Sequence, residues 1–210
     1  EQLAAVEAII NVIKGKSKRP LVLTADRGRG KSSALAIACA QLLAGAKNDN
    51  KLHIIITAAE LSSVQVFFSQ LAKSLPEGNQ EDQRFSTLHG FVEFVAVDKL
   101  LKQQPKASLV LVDEAAAIPV YLLERLLSHH SRLVFASTIH GYEGAGRGFS
   151  LKFQQSLSVS FPQWRSLHIN EPIRWRSGDP LEQLIFDACL LNAELPSLNN
   201  PRHNTPLTIS

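Results

Sequence analysis

Short apolar runs alternate along this chain with longer segments in which apolar residues recur at helical spacing. In the first segment Leu3, Val6, Ile10 and Ile13 share one helical face and precede Gly15, a residue that often ends helices. The wholly apolar runs are typical of parallel strands, which are buried on both faces. The alternation therefore predicts an α/β fold with a mainly parallel β-sheet flanked by helices.

The pattern places strands and helices in turn along most of the chain. The predicted strands are 20–24, 52–57, 107–112, 132–136 and 166–169, and the predicted helices are 1–14, 31–43, 60–74, 119–128 and one that begins near Pro180. Two segments are predicted to be surface loops, residues 75–84 and the glycine-rich stretch that follows Ser137 and runs to Gly148. We expect one domain over residues 1–194 and a Pro- and Asn-rich linker over residues 195–210.

Composition is consistent with a single globular domain. The 210 residues are 45% hydrophobic and 20% charged, with a net charge of +3. Cys39 and Cys189 form no CxxC pair, so we expect a reducing, cytoplasmic compartment. No apolar run reaches the roughly 18 residues of a membrane span. Because the chain starts at Glu1 and contains no methionine, we expect it to be a segment of a longer protein.

A basic run, Lys14-Gly-Lys-Ser-Lys-Arg19, separates the first predicted helix from the first strand. Such a run is typical of a solvated turn, and it also has the charge that contacts phosphate groups. The sequence leaves both interpretations open.

A glycine-containing loop follows the first predicted strand. The P-loop pattern is glycine, four residues, Gly-Lys and then Ser or Thr, and Gly30, Lys31 and Ser32 match it, whereas Ala25 replaces the first glycine. Alanine is compatible with this position if its φ is negative, because Gly28 and Gly30 still let backbone N–H groups approach phosphates. Lys31 is predicted to neutralise the β/γ oxygens and Ser32 to bind Mg²⁺.

Two acidic residues follow another buried strand. Asp113 and Glu114 come directly after an apolar run, at the carboxyl edge where open α/β sheets bind ligands. The alternative is a pair of acids that stabilise a helix N-terminus. Beside a phosphate loop we expect Asp113 to complete the Mg²⁺ shell and Glu114 to act as general base.

Two arginines and a threonine are further candidates for contacts with a ligand. Arg147 and Arg174 are candidates for a γ-phosphate arginine, although either could form an ordinary surface ion pair. Thr57 is a candidate RNA-backbone contact or a simple strand end. The histidines lack the spacing of a metal site.

Four motifs follow one another along the chain. They are Arg27-Gly-Arg-Gly-Lys-Ser32, Asp113-Glu-Ala-Ala-Ala-Ile-Pro119, Ser137-Thr-Ile-His-Gly-Tyr-Glu-Gly-Ala-Gly-Arg147 and Glu171-Pro-Ile-Arg-Trp175 with Gly178-Asp-Pro180. In this order and spacing they resemble the helicase-like module of the tRNA(Met) cytidine acetyltransferase family. The resemblance implies a RecA-like P-loop ATPase within an enzyme that forms N4-acetylcytidine at the wobble position of elongator tRNA(Met), using acetyl-CoA and ATP or GTP.

The resemblance also implies roles for individual residues. Gln2 would contact the adenine base, and Arg174 would contact ATP. Ser137-Thr138 would link the state of the γ-phosphate to the strength of RNA binding. The residues that would wrap the phosphates are Thr24, Ala25, Asp26, Arg27, Gly28, Arg29, Gly30, Lys31, Ser32 and Ser33. No Arg/Gln-x-x-Gly-x-Gly/Ala turn occurs here, so the acetyl-CoA site is expected in a linked domain outside this chain.

Three functional hypotheses follow. The first is an RNA-stimulated ATPase motor, and the second is a non-hydrolysing nucleotide-binding scaffold that positions RNA or a partner protein. The third is a small-molecule kinase, but the sequence does not contain the arginine-rich lid that this class of enzyme needs. Glu114 favours the first hypothesis, because a binding-only module needs no base beside Asp113.

Overall fold

The computed structural model describes residues 1–46, 51–139 and 145–172, together with positions 180 and 184. Nine of the predicted elements lie within these ranges, and each contains the expected helix or strand. The helices are α1 (Gln2–Lys14), α2 (Lys31–Ala44), α3 (Gln65–Ser74), α4 (Val97–Gln103), α5 (Val120–His129) and α6 (Ala145–Ser160). The strands are β1 (Leu21–Ala25), β2 (Leu52–Thr57), β3 (Asn79–Glu81), β4 (Arg84–Thr87), β5 (Gly90–Phe94), β6 (Leu109–Val112), β7 (Leu133–Thr138) and β8 (Arg165–Ile169).

The described strands form one sheet in the order β3-β4-β5-β2-β6-β7-β1-β8. All neighbours from β5 to β8 are parallel, and β3 and β4 extend the sheet in antiparallel pairing. The predicted α/β fold with a mainly parallel sheet flanked by helices is therefore confirmed. Because β7 lies between β1 and β6, the ends of these three strands meet at one edge.

Helices cover both faces of the sheet. On one face α1, α2 and α3 pack on alternate strand residues such as Leu23, Ile56 and Leu111. On the other face α4, α5 and α6 pack on residues such as Val22, Ile55 and Phe135. Strands that are apolar at every position are thus explained by two cores, one on each side.

Two loop predictions are wrong in part. Residues 75–84 include β3, which pairs with β4 around the buried Phe85. Residues 145–148 of the predicted glycine-rich loop belong to α6, which begins at Ala145. In the helix predicted from Glu60, the first turn, Leu61–Val64, is a 3₁₀ helix. None of the described helices has both the length and the hydrophobicity that a bilayer crossing requires.

Candidate active site

The loop between β1 and α2 has the backbone that a phosphate cradle needs. Gly28 and Gly30 have φ values of 80° and 83°, which L-residues rarely adopt. Gly30 also directly precedes α2 and offers no side chain to cap its first turn. The N–H groups at the start of α2 therefore face the edge of the sheet, where an anion can accept their hydrogen bonds.

Ala25 fits the place of the missing glycine. It is the last residue of β1, is fully buried and pairs with Thr138 and Ile169 on the neighbouring strands. Its φ is not positive, so a methyl group causes no backbone strain here. Alanine is therefore compatible with the position of the first P-loop glycine, as the sequence pattern requires.

The ends of β6 and α2 bring a hydroxyl and two carboxylates together. The hydroxyl of Ser32 donates a 2.7 Å hydrogen bond to Oδ2 of Asp113, and the backbone N–H of Glu114 donates a 3.0 Å bond to Oδ1 of the same carboxylate. Asp113 is fully buried, whereas 41% of the Glu114 side chain is exposed. Glu114 has a φ of 46°, a strained value for a residue with a side chain. This turn directs Asp113 inward and leaves Glu114 at the surface.

Thr138, at the end of β7, links Glu114 to the lysine of the loop. Lys31 Nζ donates a 2.8 Å hydrogen bond to the Thr138 hydroxyl, which lies 3.0 and 3.1 Å from the two carboxylate oxygens of Glu114 and donates to them. Lys31 Nζ also lies 3.8 Å from Oε1 of Glu114. The sequence does not predict this bridging contact, because only the family resemblance implies a coupling role for Thr138.

The buried carboxyl of Asp113 has an altered acidity. Burial raises its pKa to about 6, the hydrogen bond from Ser32 opposes the rise, and the nearby charge of Glu114 adds to it. A carboxylate in this position is stabilised by a cation, which would lower the pKa again.

The other loop residues line the cradle in different ways. Arg29 is buried and its guanidinium lies 3.9 Å from the carboxylate of Asp26, whereas Arg27 is exposed. Ser33 is half-buried in the first turn of α2. Thr24 is buried in β1, and its hydroxyl lies 3.0 Å from Nδ1 of His168, a residue that the sequence did not single out.

Gln2 is tied to the segment that follows β8. Its side-chain amide donates a 2.9 Å hydrogen bond to the carbonyl oxygen of Glu171. The carboxylate of Glu1 accepts hydrogen bonds from the backbone N–H groups of Asn170 and Glu171, which lower the pKa of Glu1. The start of α1 is therefore held next to the segment that leads toward Arg174. Arg174 lies outside the described residues.

Other candidates are placed less favourably. Thr57 is fully buried, so its side chain is a strand-end group and not an RNA contact in this conformation. Its backbone carbonyl accepts a 2.9 Å hydrogen bond from the N–H of Asp113. Arg147 belongs to α6, and its side chain is not among those described.

Comparison with known proteins shows the family. Residues 22–192 match the family described as RNA cytidine acetyltransferase NAT10/TcmA, helicase domain. The tRNA(Met) cytidine acetyltransferase TmcA of Vibrio cholerae is 48% identical over the whole chain, and the protein of that name from Pyrococcus abyssi is 38% identical over 92% of the chain. The chain spans only 29% and 24% of these two proteins.

Solved structures of low identity share the fold. The large terminase of a thermophilic bacteriophage aligns with a TM-score of 0.61 at 12% identity over 86% of this chain and 49% of its own. The complex of that terminase with ATP-gamma-S gives 0.60 at 10% identity, over 86% of this chain and 48% of its own. The large terminase of bacteriophage HK97 gives 0.54 at 13% identity, over 88% of this chain and 41% of its own.

Proposed function

The chain belongs to the RNA cytidine acetyltransferase NAT10/TcmA family, whose helicase domain it matches, and on this premise we propose that it binds and hydrolyses ATP with Mg²⁺. One observation carries the proposal: Lys31, Ser32, Asp113, Glu114 and Thr138 form a continuous chain of contacts beside the open N-terminus of α2. A phosphate-binding backbone, a cation and two acids of different exposure are the parts that phosphoryl transfer to water requires.

The donor atoms fit a magnesium ion. Ser32 Oγ and Asp113 Oδ2 are both oxygen atoms, the ligand type that hard cations prefer. The two atoms lie 2.7 Å apart, so one ion can contact both. These two residues would hold Mg²⁺, which when bound offsets the negative charge of the β- and γ-phosphates.

The remaining residues have separate tasks. The N–H groups from Thr24 to Ser33 bind the phosphates, and Lys31 moves its ammonium from Thr138 and Glu114 to the β/γ oxygens. Glu114 then orients the attacking water and accepts its proton while Thr138 holds the carboxylate. By family resemblance Gln2 contacts adenine and Arg174 contacts ATP, so Gln2 would exchange its bond with Glu171 for one with the base.

In the longer protein, we expect this ATPase to work beside a linked acetyltransferase domain that uses acetyl-CoA. The substrate proposed for the whole protein is elongator tRNA(Met), with N4-acetylcytidine as product, in the cytoplasm. The segment 195–210 is proposed as the linker toward that domain.

The test is ATP turnover and ATP binding in paired variants. Glu114→Gln removes the base but keeps the size of the side chain, so turnover is expected to fall at least about 100-fold with little loss of nucleotide affinity. Lys31→Ala is expected to lose nucleotide binding itself. Glu124→Gln, an exposed glutamate of α5, is the matched control. Turnover unchanged in Glu114→Gln would remove Glu114 as the general base. Nucleotide binding without any turnover in the parent chain would favour the non-hydrolysing scaffold instead.

A further inference from the structure

Three segments meet at the edge of the sheet opposite to the candidate active site. The N–H of Lys18 donates a 2.7 Å hydrogen bond to the carbonyl of Ser131, and the N–H of Arg165 donates a 2.9 Å bond to the carbonyl of Pro20. These contacts join the turn after α1 to the starts of β7 and β8. Since β1 spans roughly 16 Å at the rise of a parallel strand, the phosphate loop lies at its far end.

This surface, which we name the basic edge, has one sign of charge. It comprises Lys14, Lys16, Lys18, Arg19, Arg132 and Arg165. No aspartate or glutamate occurs in the three segments that form this surface, which are residues 14–20, 129–132 and 161–165. The six cations make no ion pair with a carboxylate of the described residues, and together they exceed the +3 net charge of the whole chain. The basic edge therefore has a larger net positive charge than the chain as a whole.

The two partly buried arginines of the basic edge are already oriented. Nε of Arg19 donates a 2.6 Å hydrogen bond to the side-chain oxygen of Gln163, and Nε of Arg132 donates a 3.1 Å bond to the carbonyl of Ile13. Both bonds use Nε, so the terminal Nη groups keep N–H donors for an added ligand. A guanidinium held in this way binds a phosphate with less loss of conformational entropy.

Lys18 provides an independent observation. Its φ is 61°, in the left-handed region where glycine or asparagine is favoured. The side chain of Lys18 is exposed, so packing does not explain a lysine at this position. A charged residue at a strained turn within a cluster of cations indicates a role for its ammonium group.

We propose that the basic edge binds the phosphate backbone of RNA, at a surface separate from the nucleotide site. The choice of RNA rests on the proposed function, in which the whole protein acts on tRNA. None of the exposed large hydrophobic side chains in the described part of the chain belongs to the three segments. A membrane surface usually needs such an apolar anchor, so the pattern favours a polyanion in solution.

The experiment measures binding of a fluorescein-labelled tRNA transcript by anisotropy at several salt concentrations. The variant combines Lys16→Ala, Lys18→Gly and Arg165→Ala, where glycine adopts the φ of position 18 without strain. We expect the affinity to fall at least about tenfold, and the slope of log affinity against log salt to become shallower by about 2. The matched control removes three other exposed lysines, through Lys73→Ala, Lys99→Ala and Lys102→Ala.

Three readouts separate the outcomes. Basal ATP turnover is expected to stay unchanged in the basic-edge variant, whereas loss of turnover in Glu114→Gln tests the proposed function independently. Equal tRNA affinity and salt slope in the basic-edge variant and the parent chain would overturn the inference. An equal loss of tRNA affinity in the control triple variant would also overturn the inference. So would a basic-edge variant that no longer binds anionic phosphatidylserine vesicles but still binds tRNA as the parent chain does.

Discussion

Thr138 is the residue through which the phosphate-loop lysine and the exposed acid of the site are connected. Thr138→Val keeps the shape but removes the hydroxyl that contacts Lys31 and Glu114. We expect ATP turnover to fall about 10- to 100-fold, the equivalent of losing one or two hydrogen bonds to charged groups. Nucleotide affinity should change less, because the backbone of the loop is untouched. Steady-state kinetics would separate the two effects.

Thr138→Ser is the matched variant, since it restores the hydroxyl. Recovery of most of the turnover in Thr138→Ser would attribute the loss to the hydrogen bonds. If valine and serine were equally impaired, the loss would not depend on the hydroxyl, and the positioning role would be wrong.

Asp113 links the chemistry of the site to stability. Its folded-state pKa of about 6 lies above the ordinary value of 3.8. The folded protein therefore binds this proton more tightly than the unfolded chain does. The stability contributed by the protonated group is complete below pH 3.8 and is lost as pH rises through 6. At neutral pH and without metal, the ionised Asp113 opposes folding.

Asp113→Asn is consequently expected to stabilise the metal-free chain while it removes a proposed Mg²⁺ ligand. Urea unfolding in EDTA should show a gain on the order of 2 to 3 kcal/mol at pH 8 that shrinks toward zero at pH 4. Asp98→Asn changes an exposed carboxylate in the first turn of α4 and should give no gain at pH 8. A stability difference for Asp113→Asn that is the same at both pH values would contradict the raised pKa.

At the scale of elements, the glycine before α2 determines whether the helix start is open to a ligand. Gly30→Ala places a methyl group at φ 83°, which costs about 1 to 2 kcal/mol or forces the loop to move. We expect nucleotide affinity, measured by calorimetry, to fall at least about tenfold. Gly45→Ala, after the other end of α2 at φ −87°, is the control and should retain affinity. Equal loss in both variants would indicate general destabilisation of α2.

The elements that the sequence predicts well are those with a continuous apolar run. The run before Asp113 indicates a strand without any knowledge of its neighbours, because a strand covered on both faces has no polar position. The strands β4 and β5 lack this signal. Arg84 and Glu93 occupy one face of the hairpin, and Phe85 is the one residue of β4 that is buried. The pattern of apolar residues therefore predicts neither β4 nor β5.

The sequence likewise predicts one part of the candidate site and not another. Lys31, Asp113 and Glu114 follow the ends of predicted parallel strands, so the sequence predicts that they lie near one edge of the sheet. The bridge through Thr138 depends on the register of β7, where Phe135 pairs with both Val112 and Val22. That register is fixed by tertiary packing, so periodicity along one segment does not contain it.

At the scale of the whole molecule, β1 connects the two functional edges proposed here. It begins between β7 and β8 beside the basic edge and ends in the phosphate loop, and all five of its residues are buried. A strand paired on both sides and covered on both faces has one arrangement. Energetic coupling between distant sites requires an element with two arrangements, so β1 should transmit little.

We therefore expect ATP and RNA to bind almost independently in this chain. The dissociation constant of a fluorescent ATP analogue should change less than about twofold when saturating tRNA is added, and by reciprocity the tRNA constant should change by the same factor when ATP is added. The Lys16, Lys18 and Arg165 triple variant provides the control, because it should bind the analogue as the parent chain does at every tRNA concentration. A change above about fivefold in both directions, a coupling near 1 kcal/mol, would mean that an element other than β1 switches between two states. The segment after β8 would then be the first to examine, since Gln2 holds its backbone through a single side-chain amide that the nucleotide is proposed to take.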